Sequence, residues 1–212
     1  MSQPQTNCPS CGAPVTFRWS SAVQTVCPFC HSILIRTDVD LQKVGVVADL
    51  PPDPSPIQLM TSGKYKNKNF DVVGRIIYEY DQGGWNEWHI VFSDGTSGWL
   101  SDAQLQYAVS FLVTGMALPS EQQVYRGQKF HLANIDFEVS TMTMARYKGT
   151  EGELPFPFYN KSNMLFADLR NRSADFATID YSDEAAPMLF VGETVAYEAL
   201  QLQNVRQFEG WS

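Results

Sequence analysis

Apolar and polar side chains alternate along most of the chain after residue 60, which is the period of a half-buried strand and not of a helix. Phe70, Val72, Ile76, Tyr78 and Tyr80 share one parity, with Asp71, Arg75 and Glu79 on the other. Gly83-Gly84 is expected to turn the chain into Trp88-His89-Ile90-Val91-Phe92, and Asp94-Gly95, a strong hairpin dipeptide, into Gly98-Trp99-Leu100. These three strands make a meander. Phe176–Tyr181 and Leu189-Phe-Val191 read as further strands. Single helical turns are expected at Ser101–Gln106 and Ser182–Ala186, and no longer helix anywhere in the body.

A weak internal echo runs through the same region. Phe70-Asp-Val is matched by Phe137-Glu-Val, Glu87 by Glu153, and Trp99-Leu-Ser-Asp102 by Leu165-Phe-Ala-Asp168. We therefore expect a mainly β protein whose body, residues 59–212, holds two pseudo-repeated small barrels or meanders, SH3-like, at about 60–110 and 125–205. Four prolines within 49–57 mark a semi-rigid linker, assigned to residues 49–58. Residues 1–48 form a separate N-terminal unit.

That unit is defined by chemistry. All four cysteines lie in it, as Cys8-x2-Cys11 and Cys27-x2-Cys30, the spacing of a zinc ribbon. Short knuckle turns let each pair of thiolates reach one tetrahedral ion at about 2.3 Å. So short a segment buries too little apolar surface to fold alone, and the metal substitutes for a core. Disulfides would need an oxidising compartment. The N-terminus has no basic n-region followed by an apolar run, and no apolar run is long enough to span a bilayer, so a reducing, cytoplasmic setting is expected. Rubredoxin-like iron uses the same ligands, so zinc against iron stays open on chemistry alone, with structural Zn2+ the expected ion.

Charge narrows the partners. Lys and Arg number 15 against 23 Asp and Glu, a formal −8. Four thiolates and one dication would take this to −10. Residues 1–36 contain Arg18, Arg36 and no acid, so the metallated ribbon is near neutral and the rest carries the acidity. Nucleic acid is an unexpected partner for such a balance, and any electrostatically recruited partner should be basic.

Catalytic patterns are scarce: there is no phosphate-binding Gly-rich loop, no nucleophile elbow and no His-Glu-x-x-His. With three histidines and every cysteine committed to metal, we expect no enzyme. Glu87, Glu153 and Asp180 sit among apolar neighbours, a setting that raises a carboxyl pKa, and more often marks a buried carboxylate bonded to backbone amides. Trp85, Trp88 and Trp99, with Tyr78 and Tyr80, cluster on the first meander; they suit either a small β core or an aromatic cage for an ammonium group. Together Trp85, Glu87, Trp88, Trp99, Glu153 and Asp180 are the candidate ligand or partner residues. The basic tract Gly63-Lys64-Tyr65-Lys66-Asn67-Lys68 reads as a solvated hairpin loop.

Several of these segments taken together carry a resemblance. Gly63-Lys-Tyr, Phe70-Asp-Val-Val-Gly-Arg75, Trp85-Asn-Glu-Trp88, Asp94-Gly95, Gly98-Trp-Leu100, Gly152-Glu-Leu-Pro155, Ala167-Asp-Leu169 and Ala177–Tyr181 resemble the bacterial family catalogued as domain of unknown function 4178, over about 60–205. A zinc ribbon is a frequent companion in that family, which has no assigned activity or catalytic residues to carry over. Its members tend to be encoded near membrane-associated, envelope-stress and aminopropyltransferase-like proteins. The resemblance thus implies an accessory or adaptor protein in a multiprotein system, reaching a membrane only peripherally and through a partner. The residues themselves add a second expectation, a binding module for a polyamine or other cation, and a third, nucleic-acid binding through the ribbon.

Overall fold

The computed structural model describes residues 5–37, 40–47, 50, 54–159, 161–183 and 185–208. Five short strands make the N-terminal unit: β1 (Gln5–Asn7), β2 (Pro14–Thr16), β3 (Gln24–Val26), β4 (Ser32–Arg36) and β5 (Leu41–Val46). The body follows as β6 (Ser62–Tyr65), β7 (Lys68–Tyr80), β8 (Gly83–Phe92), β9 (Ser97–Ala103), β10 (Gln106–Val113), β11 (Lys129–Leu132), β12 (Ile135–Leu154), β13 (Met164–Arg170), β14 (Asp175–Asp180) and β15 (Met188–Val195). The helical content described is two single 3-10 turns, Glu121–Gln123 and Tyr197–Leu200.

Every pairing is antiparallel, and the order β7-β8-β9-β10-β15-β14-β13-β12 returns to β7. The two expected meanders, β7–β10 and β12–β15, are therefore halves of one closed eight-stranded barrel and not two small barrels. Closure pairs β7 with β12 and leaves the short hairpin strands β6 and β11 as edges. Eight strands enclose a bore just wide enough for side chains or one small ligand.

Two bulges decide what faces the bore. Between Val72 and Gly74 the register slips by one residue against β8. Phe70 and Val72 consequently pack outside with Trp88, Ile90 and Leu100, whereas Ile76 and Tyr78 point inward. The uniform parity expected for this strand is thus broken, since one inserted residue flips every side chain after it. A matching irregularity between Val139 and Thr141 sends Val139 outward and Thr141 inward.

The internal repeat is real at its first anchor and wrong at the others. Phe70 and Phe137 are equivalent, each in the hairpin that opens a half (β6–β7 and β11–β12). After that, Ile90 opposite Val72 corresponds to Leu169 opposite Val139, so the offset grows from 67 to 79 residues. The cause is β12, 20 residues against 13 for β7. Glu87 and Glu153 are not equivalent, nor are Trp99 and Leu165. Asp102 is buried on the outer face, bonded to the Ser55 hydroxyl, and Asp168 lines the bore.

Smaller expectations also change. Residues 101–106 hold no helix, nor do 182–183 and 185–186, residue 184 of that expected turn lying outside the described residues; Gln104-Leu105 is a tight turn with both φ positive, and Asp81-Gln82, not Gly83-Gly84, makes the β7–β8 turn. Residues 49 and 51–53 of the expected linker lie outside the described residues. Its end packs on the barrel, with Ile57 fully buried in the outer cluster. The outer faces are covered by that cluster on one half and by Val124, Leu132, Phe137 and Val139 with β13–β15 on the other.

At the β7–β12 seam the backbones approach closely at Gly74, where an added Cβ would lie 1.9 Å from the Glu153 carbonyl oxygen. Backbone cannot yield as a side chain does. Gly74→Ala should force β12 off β7 and destabilise the protein by about 3 kcal/mol or more, read as a fall in melting temperature; an unchanged melt would show that the seam tolerates the methyl.

Candidate functional site

The four cysteines converge. Cys8 Sγ lies 3.7 Å from Cys30 Sγ and Cys11 Sγ 3.8 Å from Cys27 Sγ, and all four sulfurs fall within 4.8 Å of one another. A tetrahedron with bonds of about 2.3 Å has edges of about 3.8 Å, so this cage suits one tetrahedral ion. Gly12 supplies the positive φ after the first knuckle, and its amide bonds the Cys8 carbonyl. The Ser10 amide reaches Cys8 Sγ at 3.4 Å, and the Ser32 hydroxyl and amide beside Cys30 pull its thiol down to about 6. Arg36, the cation at the end of β4, is turned to the ribbon itself: it donates to the Ser20 carbonyl and stacks on Phe17.

The ribbon sits on one end of the barrel. β3 pairs with the tip of β12 at Glu153–Thr25 and Leu154–Gln24. Glu153 accepts the amides of Arg18 at 2.7 Å and Trp19 at 2.8 Å, while Gln24 exchanges two hydrogen bonds with the Phe158 backbone. Trp19 meets His89 edge-on at 4.8 Å, and His89 Nδ1 contacts the Glu153 carbonyl at 2.9 Å. Glu153 is thus the joint between ribbon and barrel. Burial raises its carboxyl and the two amides oppose the rise.

Above this floor the bore holds two adjacent spaces. The deeper one, about 40 Å³, is bounded by Tyr78, Trp99, Phe156, Phe190, Asp180 and Ile76. The outer one, about 220 Å³, reaches the far end of the barrel past Trp85, Asp168, Phe176, Arg170 and Gln104. Glu87, Ser101, Phe166 and Thr178 line both. The aromatic walls are mutually packed: Tyr78 stacks on Trp85 at 4.7 Å, and Phe166 stands edge-on to both.

Three carboxylates face this space. Glu87 accepts the Trp85 indole N–H at 3.0 Å and the Ser101 hydroxyl at 2.7 Å. What remains accessible of it opens onto the cavity, and burial drives its carboxyl up to about 8, with the charges of Asp168 and Asp180 adding to the rise. Burial also raises Asp168, which accepts the Thr178 hydroxyl at 2.8 Å, and Asp180, which accepts the Ser182 amide at 2.7 Å. Burial lowers His89 to about 4, so it is neutral at pH 7. Two fully buried polar atoms on inward-facing residues, His89 Nε2 and Tyr147 Oη, have no hydrogen-bond partner among the described residues.

Of the expected site residues, the bore gathers Trp85, Glu87, Trp99 and Asp180. Trp88 does not join them: it is fully buried on the outer face, with the Arg75 guanidinium 4.6 Å over its ring. Glu153 belongs to the ribbon joint. Sequence reading passed over Phe166, Thr178 and Arg170, and met Asp168 only as a repeat partner. Their signal is the strand Leu165–Arg170, where Phe166, Asp168 and Arg170 share a parity opposite Leu165, Ala167 and Leu169. An acid and a base sharing a parity with Phe is the mark of a polar interior.

A closed antiparallel barrel capped by a four-cysteine unit is the class of protein these features define. The family model described as "Domain of unknown function (DUF4178)" matches residues 58–196, and the chain belongs to that family. The match begins at the end of the linker and ends with β15, so it covers the barrel and leaves the ribbon outside. No curated protein matches the chain, and no solved structure does. No helix among the described residues is long and apolar enough to cross a membrane.

Proposed function

We propose that the barrel is a binding module for a small organic cation, whose ammonium group enters the bore between Glu87 and Asp180. The observation that carries this reading is the set of three carboxylates on the inner wall of an aromatic-lined cavity. Ammonium groups are favoured over aromatic faces, more so when desolvated. A metal ion is a poorer occupant. Among the described residues only the four cysteines bring three or more ligand atoms within metal-binding distance. The dispersed carboxylates suit a ligand with spread charge, a polyamine or a related amine.

The cysteine cage we read as a structural zinc site, closed by four thiolates and without an open position for chemistry. The protein is then a non-enzymatic accessory module. An adaptor role drew support from a ribbon in need of a surface to pack on; the barrel's own end supplies that surface, which puts cation binding ahead.

Titration calorimetry with cadaverine, spermidine and L-lysine tests the reading. At least one should give saturable heat, and Glu87→Gln together with Asp180→Asn should each weaken it about tenfold or more, as loss of a charge-assisted bond does. No heat from any of the three, or unchanged affinity in both variants, rejects it.

A further inference from the structure

The mouth of the bore carries a feature that a simple polycation site does not need. Arg170 lines the outer space, half-buried, with its guanidinium 4.7 Å over the Phe176 ring. Among the described residues it has no ion pair within 4 Å, although Glu138 lies directly across the ladder on β12. It is the cation among the residues lining either space. Two residues away on the same inward parity is Asp168, bonded to Thr178. A carboxylate and a guanidinium side by side at one end, with two carboxylates in an aromatic box at the other, make a polar axis: anion-binding at the rim, cation-binding beneath it.

The distances suit a particular length of ligand. Asp180 is directly opposite Phe166 in the ladder, and Arg170 is four residues further along β13. At about 3.4 Å per residue this is about 13 Å of wall. A charge-assisted contact of about 2.8 Å at each end takes up part of it. The remainder is the length of an amine chain of four or five carbons.

Building on the cation-binding reading, we propose that the ligand is a free α-amino acid with a distal ammonium group, of the lysine or ornithine kind. Its side-chain ammonium lies between Glu87 and Asp180, its α-ammonium meets Asp168, and its carboxylate is held by Arg170. The guanidinium fork matches a carboxylate in two parallel hydrogen bonds, which a polyamine cannot supply. Asp168 and Arg170 then read the α-carbon end, and the aromatic box reads the chain end. Under this assignment the rim discriminates an amino acid from the amine left by removing its carboxylate.

The matched pair L-lysine and cadaverine, which differ by that carboxylate alone, is the direct test. With the full metallated chain, L-lysine should bind about tenfold or more tightly than cadaverine. Arg170→Gln should bring L-lysine down to the level of cadaverine and leave cadaverine unchanged or tighter. Nα-acetyl-lysine, which lacks the α-ammonium, should bind weakly to the wild type and be insensitive to Asp168→Asn. Cadaverine binding equal to or tighter than L-lysine overturns this inference and leaves the cation site standing, as does an L-lysine preference that survives Arg170→Gln. Silence from both ligands overturns this inference, and silence from spermidine too overturns the cation site as well.

Discussion

Cys27→Ser, or removal of the ion by a strong chelator, is expected to unfold the ribbon while the barrel stays closed. The ribbon's own core is Val15, Phe17, Ala22, Leu34 and Leu41 packed about the buried Cys8 and Cys27, too little to hold five strands of three to six residues. In isolated small zinc domains the ion supplies on the order of 10 kcal/mol, which is the whole of their folding free energy. The barrel has no such dependence: its ladder closes through β7 and β12, and its inner and outer clusters contain none of the cysteines. What should be lost is the cap. Trp19 would leave His89, the Arg18 and Trp19 amides would leave Glu153, and the β3–β12 pairing would open. Glu153 would then face water, and its raised carboxyl would fall toward the ordinary range. Tryptophan fluorescence should shift to the red, hydrogen exchange should accelerate at residues 23–27 and 153–154, and strand circular dichroism should fall only slightly. A chelated protein that keeps its tryptophan emission and exchange protection would show that the ribbon is held by packing alone.

Sequence patterning carried the strand content, the hairpin at Asp94-Gly95 and the four-cysteine cage, because each is written in residues close together in the chain. The tract 63–68, expected as a solvated hairpin loop, narrows to a turn at Lys66-Asn67 between β6 and β7, with Tyr65 buried. Lys66 and Asn67 both take positive φ, as a two-residue hairpin turn requires. Closure of the barrel is written nowhere locally. It depends on β7 meeting residues 146–152 of β12, some seventy positions away, and on bulges that mark no particular residue type. The interior is illegible in the sequence for a related reason. In a single-layer reading, Leu165, Ala167 and Leu169 are the core and Asp168 and Arg170 are the solvated face. Here the outer parity is buried under a second shell at Val124 and Leu132, and the polar parity lines a cavity. Both faces of the strand are sheltered, so polarity reports on the ligand space and not on solvent. Glu153 shows the same limit: its burial depends on two amides 134 and 135 residues earlier.

Glu87 gives the largest pH effects. Its carboxyl titrates at about 8 in the folded protein against 4.5 for an ordinary glutamate, with burial the leading cause. A group whose folded pKa is raised favours the native state below its unfolded pKa, and this contribution is lost as pH rises through the folded value. Wild-type stability should therefore decline from about pH 4.5 to pH 8, and Glu87→Gln, which cannot ionise, should decline less. At pH 8.5 the variant should be more stable by a few kcal/mol, since a tenfold change in a proton-binding constant on folding corresponds to about 1.4 kcal/mol. For a chain of this length that is a rise of roughly 5–10 °C in melting temperature, whereas near pH 4 the two should melt together. Cation binding couples to the same proton with the opposite sense. An ammonium group binds the ionised carboxylate, so below pH 8 each binding event should release close to one proton. Affinity should climb about tenfold for each step of one in pH between roughly 6 and 8 and then level off. Calorimetry in two buffers of different ionisation enthalpy measures the released proton directly. A variant that gains stability at high pH yet binds cations as the wild type does would separate the buried acid from the ligand site. Gain of stability with loss of both the affinity and its pH dependence would join them, and would make Glu87 a residue whose cost to the empty barrel is the condition of its use.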